Sequence, residues 1–121
     1  MHFTRKDTEA DIAGEVYYRL REHGIIPRLQ LKLPSLVTPS KTIIPDLTIT
    51  EGDQVIAVIE VKRGKMRDVY SAKDFGRMMA FSAQERAYES LSRVNNIPVF
   101  WCFGRRGVQP VVDKVLALFE R

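Results

Sequence analysis

The sequence predicts a small mixed α/β domain, a short mixed sheet with helices on both faces, and three observations predict it. Residues 55–61 read Val-Ile-Ala-Val-Ile-Glu-Val, apolar on both faces apart from Glu60, as in a fully buried central strand. Helical and strand-like patterns alternate along the chain in the order helix, three strands, helix, strand, helix. The 121 residues suffice for one domain with its own core, spanning 1–121, and leave little room for a second.

The elements follow in order. Thr8-Glu9-Ala10-Asp11 has the form of a capping box, with Thr8 as N-cap and Asp11 at the third helical position. The helix is expected to run to about His23 and stop at Gly24, with Ile12, Ala13, Val16, Tyr17 and Leu20 as its apolar stripe. Residues 28–33 alternate polar and apolar and read as a strand, and 34–41 as a loop. A second strand is expected over 42–50, where Pro45 argues for an edge or a bulge. Glu51-Gly52-Asp53 forms a hairpin turn, and the third strand covers 54–63.

A basic loop follows at 64–70, then a second capping box at Ser71-Ala72-Lys73-Asp74 and a long helix ending at Asn95-Asn96. Residues 97–103 are apolar throughout and read as a buried fourth strand. A turn at 104–107 leads to a terminal helix over 111–120, with Val112, Val115, Leu116 and Phe119 on its inner side. Short connections make the first three strands an antiparallel meander, and the long helix crosses over to lay the fourth parallel to the third.

The chain is 45% hydrophobic and 28% charged, an ordinary balance for a soluble globular protein. No apolar stretch approaches the ~20 residues of a membrane span, and residues 1–6 lack the apolar centre of a signal peptide. The single cysteine, Cys102, has no internal disulfide partner and reads as a small core residue in a reducing cytoplasm. A net charge of +4 is compatible with nucleic acid as a partner. Lys62, Arg63, Lys65 and Arg67 follow the third strand and Arg105-Arg106 the fourth. If those ends meet, one rim is positive enough to hold phosphates; otherwise these are solvated loop charges.

Side chains alternate along a strand, so Ile56, Val58, Glu60 and Lys62 are expected to point the same way. Two opposite charges then emerge from one face of a buried strand, at its end. Burying a charge costs several kcal/mol unless it is paired or metal-bound. Asp46 follows Pro45, which withholds a backbone donor and re-aims its neighbour. If Asp46 and Glu60 are cross-strand neighbours, two carboxylates converge with Lys62 close by. Two carboxylates with room for water suit Mg²⁺, and the set suits phosphodiester hydrolysis. The plainer reading is an Asp at a bulge and a Glu–Lys pair at a strand end.

Two helices carry further polar candidates. At 100° per residue Glu9 falls at the angle of Val16 and Leu20, whereas Glu15 falls outside the stripe and is expected to face solvent. Glu9 also sits in the first turn, where a carboxylate favours the helix dipole. Gln84 and Tyr88 lie one turn apart on a face with Ala80, Phe81, Ala87 and Leu91.

Pro45-Asp46, Glu60-x-Lys62 and Gln84-x-x-x-Tyr88 together resemble the motifs of the PD-(D/E)XK nuclease superfamily, over about residues 8–104. The last motif is similar to that of its RecB-like branch, which includes nuclease domains of type I restriction subunits. His2 and His23 do not match the early histidine motif of some RecB-like enzymes, so the branch stays open. The resemblance implies a restriction-endonuclease-like core and Mg²⁺-dependent cleavage of DNA, with Mn²⁺ able to substitute. It implies Asp46 and Glu60 as metal ligands and Lys62 as catalytic lysine. Glu9 would be the additional ligand from the first helix, with Glu15 as fallback. Gln84 and Tyr88, with Arg63 and Lys65 in the basic loop, would bind substrate. It further suggests a motor or specificity subunit, or a second copy of the chain, as partner. A nucleic-acid-binding module that keeps the fold without cutting, or a domain of a larger restriction or repair complex, is the alternative.

Overall fold

In the computed structural model the described residues are 8–34, 42–62, 88 and 95–120. Among them a three-stranded sheet, a two-stranded sheet and two helices form a mixed α and β architecture. Helix α1 spans Glu9–Glu22 and helix α2 Val108–Leu118. The strands are β1 Leu33–Pro34, β2 Thr42–Ile43, β3 Leu47–Glu51, β4 Gln54–Lys62 and β5 Val99–Phe103. No helix among the described residues is long and apolar enough to cross a membrane.

Helix α1 starts where the capping box predicts. The Asp11 amide donates to Thr8 Oγ1 at 3.1 Å and the Thr8 amide donates to Asp11 Oδ2 at 3.0 Å, satisfying two otherwise orphaned donors. His23 caps the other end, and Gly24 takes φ 82, a conformation costly for any residue with a Cβ. Ile12, Val16 and Leu20 are buried, and Ala13 and Tyr17 pack beside them.

Strands β3 and β4 form an antiparallel hairpin about Gly52-Asp53, and β5 joins β4 in parallel, giving the order β3-β4-β5. The parallel pairing is the one expected from a crossover. The helix expected between β4 and β5 lies outside the described residues except for Tyr88 and Asn95. There Tyr88 and Asn95 are helical, and Asn96 turns to φ 57, a left-handed conformation that asparagine tolerates.

Several boundaries differ from the sequence expectation. The expected strand at 28–33 reduces to a single bridge, Arg28 to Thr48, and the short β1 paired with β2. Gln30, at φ 58, breaks the extended run between them. The expected strand over 42–50 is two strands, because residues 44–46 leave the ladder around a buried Pro45. Helix α2 begins at Val108, after a 3₁₀ turn at Arg105–Gly107, and ends before Phe119, which is exposed. Pro110 falls in its first turn, where a missing amide hydrogen costs nothing.

A bulge changes the phase of β4. Ile49 pairs with Ala57 while Thr50 pairs with Val55, so Ile56 has no partner residue in the ladder. Val55 and Ile56 therefore exchange faces relative to simple alternation. Ile56 packs with Ala57, Ile59 and Val61 against the helices, and Val55 joins Val58 on the other side. The expectation that Ile56 shares a face with Glu60 fails for this reason.

The sheet thus separates two cores. One holds Leu47, Ile49, Ile59 and Val61 against Ile12, Val16 and Leu20 of α1 and Val108, Val111, Val112 and Val115 of α2. Each fully buried side chain of this kind contributes about 1.5–3 kcal/mol of transfer free energy. The other core holds Leu33, Ile43, Val58 and Tyr88, flanked by Val99 and Trp101. The candidate site lies on this second face.

Candidate active site

Glu60 and Lys62 lie on the same side of β4 as Val58, beyond the bulge, so alternation from Val58 onward holds. Leu47 pairs with Ile59, which sets Asp46 across from Glu60 at the end of the ladder. Asp46 has left the strand, and its Oδ2 accepts the Val61 amide at 2.7 Å. A side chain thereby replaces the backbone acceptor that a continued β3 would offer, and the carboxylate is locked beside β4. Pro45 is what frees it, by ending β2 and fixing φ.

Glu60 is only 6% exposed and its side chain hydrogen-bonds to those of Asp46 and Tyr88. One oxygen, Oε2, is buried without a hydrogen-bond partner among the described residues. Its acidity reflects this setting. Burial, then the hydrogen bond to Asp46, raise the Glu60 pKa to about 8; the Tyr88 hydroxyl opposes them, and the charges of Asp46 and Lys62 add smaller effects of opposite sign. At neutral pH the carboxylate pair therefore retains a proton. A second buried polar atom, Thr48 Oγ1, also has no partner among the described residues and lies on β3 across from Val58.

Trp101 of β5 is the direct register partner of Glu60. Its indole meets the Tyr88 ring edge-on, with centroids 5.7 Å apart, and the Lys62 Nζ stands 5.9 Å from its centroid. Sequence reasoning missed this residue. Its only signal was its place with Phe100 and Phe103 in an apolar run, and the face it takes depends on a register that the run does not specify.

Glu9 does not join the site: it is exposed in the first turn of α1, and α1 packs on the opposite face of the sheet. Its angle matches the stripe, but the stripe's core contacts begin one turn later, at Ile12. Glu15, expected in solvent, is half-buried. It pairs with Arg19 at 2.8 Å and Arg105 at 3.2 Å, because α2 covers that flank of α1. Arg19 in turn donates to Gln109 of α2 at 2.7 Å. Cys102 is buried in the helix-side core, and burial followed by the charge of Glu15 pushes its thiol up to about 11, leaving it unreactive. Gln84, Arg63 and Lys65 lie outside the described residues.

The ends of β4 and β5 do lie together, since the Gly104 amide donates to the Lys62 carbonyl at 2.9 Å. Lys62 and exposed Arg106 therefore sit at one end of the sheet. Asp46 and Glu60 are the donors that could hold a divalent cation there: two hard oxygen ligands, one with an unsatisfied buried oxygen. Among the described residues no third His, Cys, Asp or Glu joins them to complete a protein-only cage. Compared with known proteins, the chain matches no protein family, no curated protein and no solved structure.

Proposed function

We propose that this chain is a divalent-cation-dependent phosphodiesterase that cuts DNA, built on the restriction-endonuclease-like core its motifs resemble. The observation that carries the reading is the buried Asp46–Glu60 pair with its unpartnered Glu60 oxygen. A structural role explains it poorly, because a lone orphaned carboxylate oxygen only destabilises the fold. Two carboxylates with water completing the shell fit Mg²⁺, and Mn²⁺ by the same chemistry.

When bound, the cation supplies a water of lowered pKa and offsets the charge developing on a phosphate. The remaining roles belong to the chain. Asp46 is aimed by the Val61 amide, and Glu60 by the Tyr88 hydroxyl. Lys62, on the same face one residue pair further, orients the attacking water or donates to a phosphate oxygen. Arg106 holds the phosphate backbone at the sheet end, and Arg63 and Lys65 share in binding the substrate. Tyr88 acts here as a ligand-positioning group, a finer role than general substrate binding.

The test is cleavage of plasmid, linear duplex, single-stranded and branched DNA with Mg²⁺, Mn²⁺ or EDTA, alongside Glu60→Ala and Asp46→Asn. Cation-dependent cutting that both variants lose is expected. Salt-sensitive DNA binding without cutting on any substrate overturns the reading in favour of a binding module.

A further inference from the structure

We infer that Trp101 is a positioning residue of this site, seating the Lys62 ammonium and the Tyr88 ring so that both reach the Asp46–Glu60 pair in one arrangement. The inference gives catalytic meaning to Trp101 only if the proposed function holds, but its geometric content stands separately. Three observations converge on it. Trp101 is paired in register with Glu60, so its side chain leaves the sheet beside the carboxylate. Its ring meets the edge of Tyr88, whose hydroxyl serves Glu60. Its ring also carries the Lys62 Nζ at 5.9 Å.

The physical need is clear on the lysine side. A lysine ammonium rides on a four-carbon stem with many rotamers, and at a strand end most of them lead into water. An aromatic face beside the strand favours those that keep the ammonium near the carboxylates. On the tyrosine side, a ring packed edge-on against an indole has its plane fixed, which fixes the direction of its hydroxyl. One side chain thus orders a cation and a hydrogen-bond donor that approach Glu60 from different elements. If Trp101 served only to fill the core, an aliphatic side chain in its place would leave Lys62 and Tyr88 as they are, and the test turns on that difference.

The test compares Trp101→Phe, which keeps an aromatic face, with Trp101→Met, which keeps an apolar side chain without one. In the first arm, the Lys62 ε-methylene protons are assigned by NMR. They are expected upfield in the wild type from the indole ring current, less so in Trp101→Phe, and at ordinary lysine positions in Trp101→Met. In the second arm, DNA cleavage with Mn²⁺ is measured for variants of matched thermal stability. Trp101→Met is expected to lose about tenfold in kcat with KM little changed, while Trp101→Phe stays within a few-fold. Equal cleavage by the two variants, or an unchanged Lys62 shift in Trp101→Met, overturns the inference. If the wild type cuts nothing, the proposed function falls and the NMR arm alone decides the positioning. If Trp101→Met does not fold, ordinary Lys62 ε shifts in the wild type overturn the inference, and upfield shifts retained in part by Trp101→Phe sustain it.

Discussion

The two faces of the sheet are built from alternate residues of the same strands, yet they obey different rules. The helix face carries Leu47, Ile49, Ile59 and Val61 against aliphatic stripes of α1 and α2, and among its buried residues Cys102 is the nearest thing to a polar side chain. The opposite face carries Thr48, Glu60, Lys62, Tyr88 and Trp101, and two of its buried polar atoms have no partner among the described residues. A single β-strand, β4, serves both. Alternation lets one residue add to stability and its neighbour subtract from it, with the dry face offsetting what the polar face costs. The asymmetry explains how so small a domain tolerates a buried carboxylate pair.

The sharpest way to break this comparison is to exchange the rules. Ile59→Glu places a carboxylate on the dry face, where its cross-strand partners are Leu47 and Phe100. It is expected to cost several kcal/mol and leave little folded protein, seen as loss of the cooperative thermal transition. A fold that survives this change with its cooperativity intact would mean the dry face is not dry.

The complementary change removes the charge where it already lies. The Glu60 pKa is raised from 4.5 to about 8 in the folded state, so folding favours the protonated form. Its contribution is fully present below about pH 4.5 and is lost as pH rises toward 8, because the unfolded chain gives up its proton first. Glu60→Gln lacks this loss. Without metal, it is expected to be more stable than the wild type by a few kcal/mol at pH 8.5 and to match it near pH 4. Chemical denaturation across that range measures the difference, and parallel pH profiles for the two proteins would refute it.

A smaller effect tests the proposed role of the pair as a cation site. A cation must displace the retained proton, so Mn²⁺ affinity is expected to rise by up to about tenfold per pH unit between pH 6 and 8. Calorimetry in buffers of different ionisation enthalpy would show about one proton released per cation bound. Binding that does not vary with pH would place the cation elsewhere. The smallest change concerns Thr48, whose hydroxyl is buried and unpartnered. Thr48→Val is expected to stabilise the domain by about 1 kcal/mol, since a near-isosteric methyl removes an unsatisfied polar group. A clear loss of stability would show that the hydroxyl is hydrogen-bonded through water.

Much of the site was legible in the sequence because it depends on short-range rules. Asp46 after Pro45, and Glu60 with Lys62 at the end of an apolar run, meet as the hairpin about Gly52-Asp53 requires. What was not legible depends on neighbours distant in sequence. The helical wheel put Glu9 on the stripe, but a wheel does not say where the core ends along the axis. It put Glu15 in solvent, but α2 closes that flank and Arg105 pairs with it. The bulge at Ile56 leaves no mark in an all-apolar run, although it decides which residues share the face of Glu60.

By itself, then, the sequence determined the local elements: the capped first helix, the hairpin, the buried strand and the pairing of Asp46 with Glu60. Capping, turn formation and alternation act over a few residues, and their signals lie in the residues themselves. Only the tertiary structure decided that α1 and α2 share one face, that Trp101 stands beside Glu60 and under Lys62, and that one carboxylate oxygen lacks a partner. Those outcomes follow from register and from packing between segments some forty to ninety residues apart, which no local pattern specifies.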